Sequence, residues 1–143
     1  MNISDVIKRI ESLQAMSCMD AKCYAMEGGW AYIVAEDIQK KMKINQLRKF
    51  FDSVKHIKVN LKRYSDEDQL DNIREVKQLK YDLFPELAYA LARDLITERF
   101  YDLVTICLRD KVTSVKDFSA FEKFLSAIVA YYKMHEWKKK GGR

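Results

Sequence analysis

The most distinctive chemistry in this sequence is a dense run of cations between residues 40 and 63. Nine lysines and arginines stand there against a single carboxylate, Asp52, in a chain whose formal net charge is +5. These cations, called the basic strip below, are Lys40, Lys41, Lys43, Arg48, Lys49, Lys55, Lys58, Lys62 and Arg63. A surface with so few carboxylates attracts polyanions, and such binding weakens as salt rises. Lysine-rich helix faces are also commonly just solvated, so the charge run alone leaves both interpretations open.

The sequence offers no motif that would read nucleic-acid bases. It has no aromatic recognition-motif strands, no helix-turn-helix spacing and no zinc finger, so the strip predicts contact with phosphates rather than with base edges. The eight tyrosines include potential stacking platforms. An amphipathic tyrosine at the edge of a core is the commoner outcome, and the sequence singles out none of them.

Catalytic residues are not indicated. A glycine-rich phosphate loop and a His-Glu-x-x-His motif are both missing, and only His56 and His135 are available as bases near neutral pH. We expect His56 on the polar side of the basic helix, and His135 exposed or in contact with the end of the last helix. Residues 66–71 hold the densest run of carboxylates, but they resemble a helix start. We therefore predict no catalytic residue, metal or cofactor, with a metal-dependent nuclease as the rival hypothesis.

The cysteines also indicate structural roles. Cys18 and Cys23 lack the second ligand pair of a structural zinc site, and Cys107 lies in an apolar context typical of a core thiol. Three cysteines, an odd number, argue against a disulfide framework. No apolar run approaches the roughly 20 residues of a membrane span, so we expect a soluble, cytoplasmic protein without a membrane partner.

The elements that must position these residues are helices. One proline and four glycines leave few turn formers, and the predicted fold is all-α, a compact bundle of five to six helices in a single domain over residues 1–143. The clearest helix carries the basic strip, because an apolar stripe recurs through it at helical spacing. That stripe comprises Leu47, Phe50, Phe51, Val54, Ile57 and Leu61.

Other segments predict the remaining elements. Residues 3–13 form a short amphipathic helix, residues 17–29 a loop, and residues 30–42 a second helix. Ser65 is expected to cap a helix that ends before Pro85, which would open the next one. Residues 100–108 are apolar almost all round, which predicts the most buried helix. Ser114 and Asp117 resemble a capping box for the last helix, and residues 138–143 a basic, flexible tail.

Three sequence blocks, in order along the chain, carry information that the helical patterns do not. They are residues 44–51 (INQLRKFF), 83–93 (LFPELAYALAR) and 118–133 (FSAFEKFLSAIVAYYK). Together they resemble the small subunit of the type III-A CRISPR effector (Csm) complex, an antiviral defence assembly. Residues 1–42 match least. Two departures from the family pattern are Asn45, which we still expect to cap a helix, and Ser126, where a carboxylate is common.

The resemblance implies a helical subunit present in several copies and without a nuclease site. Its implied partners are guide RNA, target RNA, and the backbone and large subunits of the effector; self-association is also plausible from the broad apolar stripes. Position within the blocks makes Gln46, Arg48, Arg93 and Lys133 candidate RNA-facing residues, and charge adds Lys43, Lys49 and Lys55. The alternatives are a type III-B small subunit and a helical protein-interaction adaptor whose basic face is only solvated.

Overall fold

The computed structural model describes residues 1–142, which form an all-α bundle. The chain is 74% helical, and no strand occurs within residues 1–142, so the predicted fold class is confirmed. Six of the helices have nine residues or more, and α2 is shorter. The helices are α1 (Ile3–Glu11), α2 (Ala21–Ala25), α3 (Trp30–Gln39), α4 (Ile44–Asn60), α5 (Arg74–Ala92), α6 (Glu98–Ile106) and α7 (Val115–Lys139).

Helix α7 forms the centre of the bundle. It packs against α2, α3 and α4, and against a 3₁₀ turn at Met16–Cys18. The prediction that residues 100–108 form the most buried helix is confirmed, because six of these nine residues are buried and the other three are half-buried, a larger buried fraction than in any other helix within residues 1–142. Its second part, Cys107–Lys111, is a π-helical turn. The longer α7 has apolar residues on more than one flank, so it can contact several neighbours at once.

Helix α4 lies between α5 and α7, as its apolar stripe requires. Leu47, Phe50, Val54 and Ile57 are buried, and α4 packs against both neighbours. Burial of this stripe fixes the rotation of α4 about its axis. The direction in which each cation of the basic strip points is therefore set by the core.

The ends of several elements differ from expectation. Residues 17–29, predicted as a loop, contain the short α2 and the end of the 3₁₀ turn. Asn45 does not cap α4, since Lys43 is the N-cap residue and makes no side-chain capping bond. Helix α7 extends through Lys139, so Lys138 and Lys139 of the predicted tail are helical. Arg143 lies outside the described residues.

The helix predicted to start at Ser65 does not form. The backbone N–H of Ser65 donates to the Asp68 carboxylate at 3.0 Å, which closes a turn. The N–H groups of Val115 and Lys116 donate to the carbonyls of Asp68 and Asp66, at 2.9 and 3.0 Å. This segment pairs with the start of α7 instead of forming a helix, and α5 begins only at Arg74.

Pro85 does not open a helix either, because it lies inside α5. A proline in a helix interior removes one backbone hydrogen bond and crowds the preceding turn. Burial of Leu83 and Leu87 on either side of it holds the helix together. Residues 74–92 are therefore one continuous helix rather than two.

Two buried charged side chains join segments that are distant in sequence. The Lys80 ammonium donates to the Val112 carbonyl at 2.7 Å, and its burial lowers its pKa. The Asp117 carboxylate accepts from the backbone N–H groups of Ser17 and Thr113, each at 3.2 Å, and of Ser114, at 3.3 Å. Burial opposes ionisation of Asp117, but these hydrogen bonds outweigh it and lower its pKa.

The predicted capping box at the start of α7 is confirmed. The Ser114 hydroxyl accepts from the N–H of Asp117 at 3.1 Å while the Asp117 carboxylate accepts from the N–H of Ser114. The same carboxylate also reaches Ser17, so one side chain caps the central helix and anchors the N-terminal segment to it.

Replacing Asp117 with Ala should lower the free energy of unfolding by about 1–3 kcal/mol at neutral pH, because it leaves three partly buried hydrogen bonds without their charged acceptor. Denaturant unfolding followed by circular dichroism measures this. Because the folded-state pKa is lowered, the stabilisation by Asp117 is complete above the ordinary carboxyl pKa of 3.8 and disappears as the pH falls through the lowered value. The difference between wild type and variant should shrink correspondingly in acid.

Asp52→Ala is the matched control, since Asp52 is exposed and makes no side-chain hydrogen bond within residues 1–142. We expect it to change the stability by less than about 0.5 kcal/mol. Equal losses for the two variants would show that the Asp117 network does not anchor the fold.

Candidate nucleic-acid interface

The outer face of α4 presents two cations without a carboxylate partner. Arg48 and Lys55 are exposed and lie seven residues apart, on the same side of the helix and about 10 Å apart along its axis. The Lys55 ammonium lies 5.2 Å from the centroid of the Phe51 ring. Neither cation forms an ion pair in the described part of the chain. Both are free to contact phosphates.

A second group of predicted residues meets at a cavity between α4 and α5. Gln46 and Lys49 of α4 and Arg93 at the end of α5 line one cavity of about 430 Å³, called the α4–α5 cavity below. The Arg93 guanidinium lies 5.5 Å from the centroid of the Tyr89 ring, and its Nη1 is 3.4 Å from the Tyr89 hydroxyl oxygen. Tyr89 itself is 64% exposed. The structure thus brings together residues that lie far apart in sequence.

The remaining two predicted residues lie elsewhere. Lys43 is exposed at the N-cap of α4 and does not line the α4–α5 cavity. Lys133 is on α7, where its ammonium pairs with the Glu136 carboxylate at 3.1 Å. The seven candidates therefore do not form one continuous row.

Most of the basic strip is not neutralised by local carboxylates. Within residues 1–142, only two of its cations form ion pairs: Lys41 with Asp37 at 3.3 Å, and Arg63 with Glu75 at 3.4 Å. Both pairs are exposed on the cation side and contribute little to stability. The strip keeps most of its positive field.

Carboxylates do interrupt the strip on the side of α4 that faces α5. Asp52, Asp82 and Glu86 line a neighbouring cleft of about 360 Å³, together with His56. The Ser53 hydroxyl donates to the Glu86 carboxylate at 3.3 Å. Asp52 follows Arg48 by four residues and precedes Lys55 by three, so this exposed carboxylate also borders the outer face of α4, whereas Asp82 and Glu86 belong to α5.

Sequence patterns did not reveal a third basic surface. Lys58 of α4 meets Lys116 and Lys123 of α7 at a cavity of about 420 Å³, where Asp66 is the carboxylate present. Only the packing of α4 against α7 brings these lysines together, so no local pattern could have found them. Tyr89 was also missed as an individual residue, although it lies inside one of the family-like blocks.

The two histidines have different environments. His56 is exposed, as predicted. The prediction for His135 is wrong, because its ring is buried, packs edge-on against Tyr32 with centroids 4.6 Å apart, and has Nε2 3.4 Å from the Tyr32 carbonyl oxygen. The α3–α7 contact encloses it before the last turn of α7.

Among residues 1–142, no group of three or more His, Cys, Asp or Glu side chains is arranged to hold a metal ion. None of the helices in that range has both the length and the apolar character needed to cross a bilayer.

A family model described as Csm2 Type III-A matches residues 29–138, which is more than half of the chain. Helices α3 to α6 and all of α7 except Lys139 fall within this match, whereas α1 and α2 precede it. Comparison with curated proteins and with solved structures finds no match.

The cysteines differ strongly in accessibility, and a thiol must be accessible to act as a nucleophile. Cys107 is fully buried, and burial raises the pKa of its thiol to about 12. Cys18 is exposed. Since the thiolate is the reactive form, Cys107 is inert in the folded protein.

We expect an aromatic disulfide reagent to modify Cys18 in the native protein at pH 8 and to reach Cys107 only after unfolding. Absorbance of the released thiolate follows the reaction, and Cys18→Ser identifies the fast component. Rapid modification of Cys107 under native conditions would contradict its placement in the core.

Proposed function

Because this chain belongs to the Csm2 family of type III-A, a family of small Csm subunits, we propose that it is a non-catalytic subunit of an RNA-guided interference complex that binds the backbone of guide and target RNA. The observation that carries this proposal is the exposed, unpaired Arg48 and Lys55 on the outer face of α4. Their side chains present positive charge on one rigid surface. Phosphate contacts of this kind position a protein on RNA without reading its sequence.

Packing of α4 against its neighbouring helices makes such contacts effective. Its opposite face is buried against α5 and α7, so the cations project from a helix whose position is already fixed. Binding then requires ordering of the side chains only, and the release of counterions from RNA favours association. Lys43, Lys49 and Arg93 would add contacts along neighbouring parts of the surface.

This mode of binding leaves recognition of the RNA sequence to other components of the complex. In RNA-guided systems base pairing reads the sequence, while the protein recognises shape and charge. Contacts with the backbone and large subunits, and with further copies of this chain, would use surfaces other than the outer face of α4. Gln46 and Lys133 are the candidates whose contacts depend least on net charge, since Gln46 is neutral and Lys133 is paired.

The double variant Arg48→Gln with Lys55→Gln should weaken binding of the full chain to single-stranded RNA and flatten its salt dependence. Each lost phosphate contact lowers the magnitude of the slope of log affinity against log salt by about 0.7. The expected change for the pair is therefore about 1.4. Fluorescence anisotropy with labelled RNA, between about 50 and 200 mM salt, provides the measurement.

Arg63→Gln is the control, because Arg63 already pairs with Glu75 and should contribute less to the slope. A helical adaptor with a merely solvated basic face would show no change of slope in either variant. Co-purification of the tagged wild-type chain from its host should also recover guide RNA and backbone subunits. An unchanged slope, or recovery of the chain without RNA, would overturn the proposal.

A further inference from the structure

The α4–α5 cavity has apolar walls and a polar rim. Phe50, Pro85, Leu95 and Ile96 are among the residues that line it. Its volume of about 430 Å³ falls within the range of about 300–1,000 Å³ that is typical of small-molecule sites. A flat, largely apolar group with a few polar atoms would fit this environment better than an extended phosphate chain.

The rim supplies three kinds of polar group. Lys49 and Arg93 are cations, and neither pairs with a carboxylate within residues 1–142. The Gln46 side-chain amide is half-buried and makes no hydrogen bond in that range, so it can both donate and accept. Glu86 places a carboxylate at the same cavity, which disfavours a phosphate inside it. A phosphate would stay at the rim, next to the cations.

Tyr89 and Arg93 form a platform at this rim. The Tyr89 ring is 64% exposed, which is unusual for a large aromatic side chain, and the Arg93 guanidinium lies against it. Unstacked RNA bases characteristically stack on aromatic rings and on arginine planes. The exposed Tyr89 ring and the side-chain amide of Gln46, which makes no hydrogen bond within residues 1–142, line the same cavity.

We propose that the α4–α5 cavity binds one unstacked nucleobase of the bound RNA, which stacks on Tyr89 and Arg93 while Lys49 holds an adjacent phosphate. This inference rests on the proposed RNA binding and adds a base-sized pocket to it. The pocket recognises the presence of an extruded base, whereas the outer face of α4 contacts the backbone alone.

The test compares two RNA duplexes that differ at one position. One carries a single bulged adenosine, and the other carries an abasic residue at the same bulge. The full chain should bind the duplex with the base about 5- to 150-fold more tightly, the range expected when one base–aromatic stack is gained. Tyr89→Ala should abolish this preference, so that the variant binds both duplexes equally.

Tyr81→Ala is the matched control. Tyr81 is also an exposed tyrosine of α5, at 45%, but it does not line the α4–α5 cavity. This variant should keep the preference for the base, and so should Tyr89→Phe, which retains an aromatic ring. Both tyrosine side chains are exposed, so each variant is expected to fold. Circular dichroism checks this.

The outcomes separate this inference from the proposed function. Equal, salt-dependent binding of both duplexes by the wild type would overturn the base pocket and leave backbone binding intact. No binding of either duplex at low salt would overturn both. Loss of backbone subunits on co-purification of Tyr89→Ala, without any preference for the base, would show that the cavity receives a protein side chain and would also overturn the inference.

Discussion

Burial of one apolar stripe on α4 is the constraint on which the candidate interface depends. Leu47, Phe50, Val54 and Ile57 can leave water only if this side of α4 faces α5 and α7. The rotation of the helix about its axis is then fixed, and with it the direction in which each cationic side chain points. Arg48 and Lys55 point outward, whereas Lys49 points toward α5 and Lys58 toward α7. One row of charges in sequence becomes three surfaces with different chemistry.

The continuity of α5 through Pro85 shapes the second of these surfaces. A break at the proline would free Tyr89 and Arg93 from the orientation that buried Leu83 and Leu87 impose. In the continuous helix, the end of α5 lies beside the start of α4 and encloses a cavity. The helix therefore carries an unfavourable residue in its interior because packing on both sides of it outweighs the lost hydrogen bond.

Charged groups inside the bundle have a role different from that of the charges outside it. Lys80 and Asp117 are buried and use backbone partners, so they tie loops to helices rather than attract ligands. The exposed cations of α4 mostly lack such partners. The distinction separates charge that stabilises the fold from charge that remains available for a phosphate chain, although lysine occurs in both groups.

The sequence by itself determined the helical class, the buried stripe of α4, the capping box at Ser114 and Asp117, and the family-like blocks, because helical periodicity and capping depend on residues only a few positions apart. It misplaced the helix expected at Ser65 and the break expected at Pro85, since local propensity was overridden by pairing with α7 and by packing around Leu83 and Leu87. Only the tertiary structure decided that Gln46, Lys49 and Arg93 meet Tyr89 at one cavity, or that Lys58 joins Lys116 and Lys123. Those groupings arise from contacts between helices that are distant in sequence, and no local pattern encodes them.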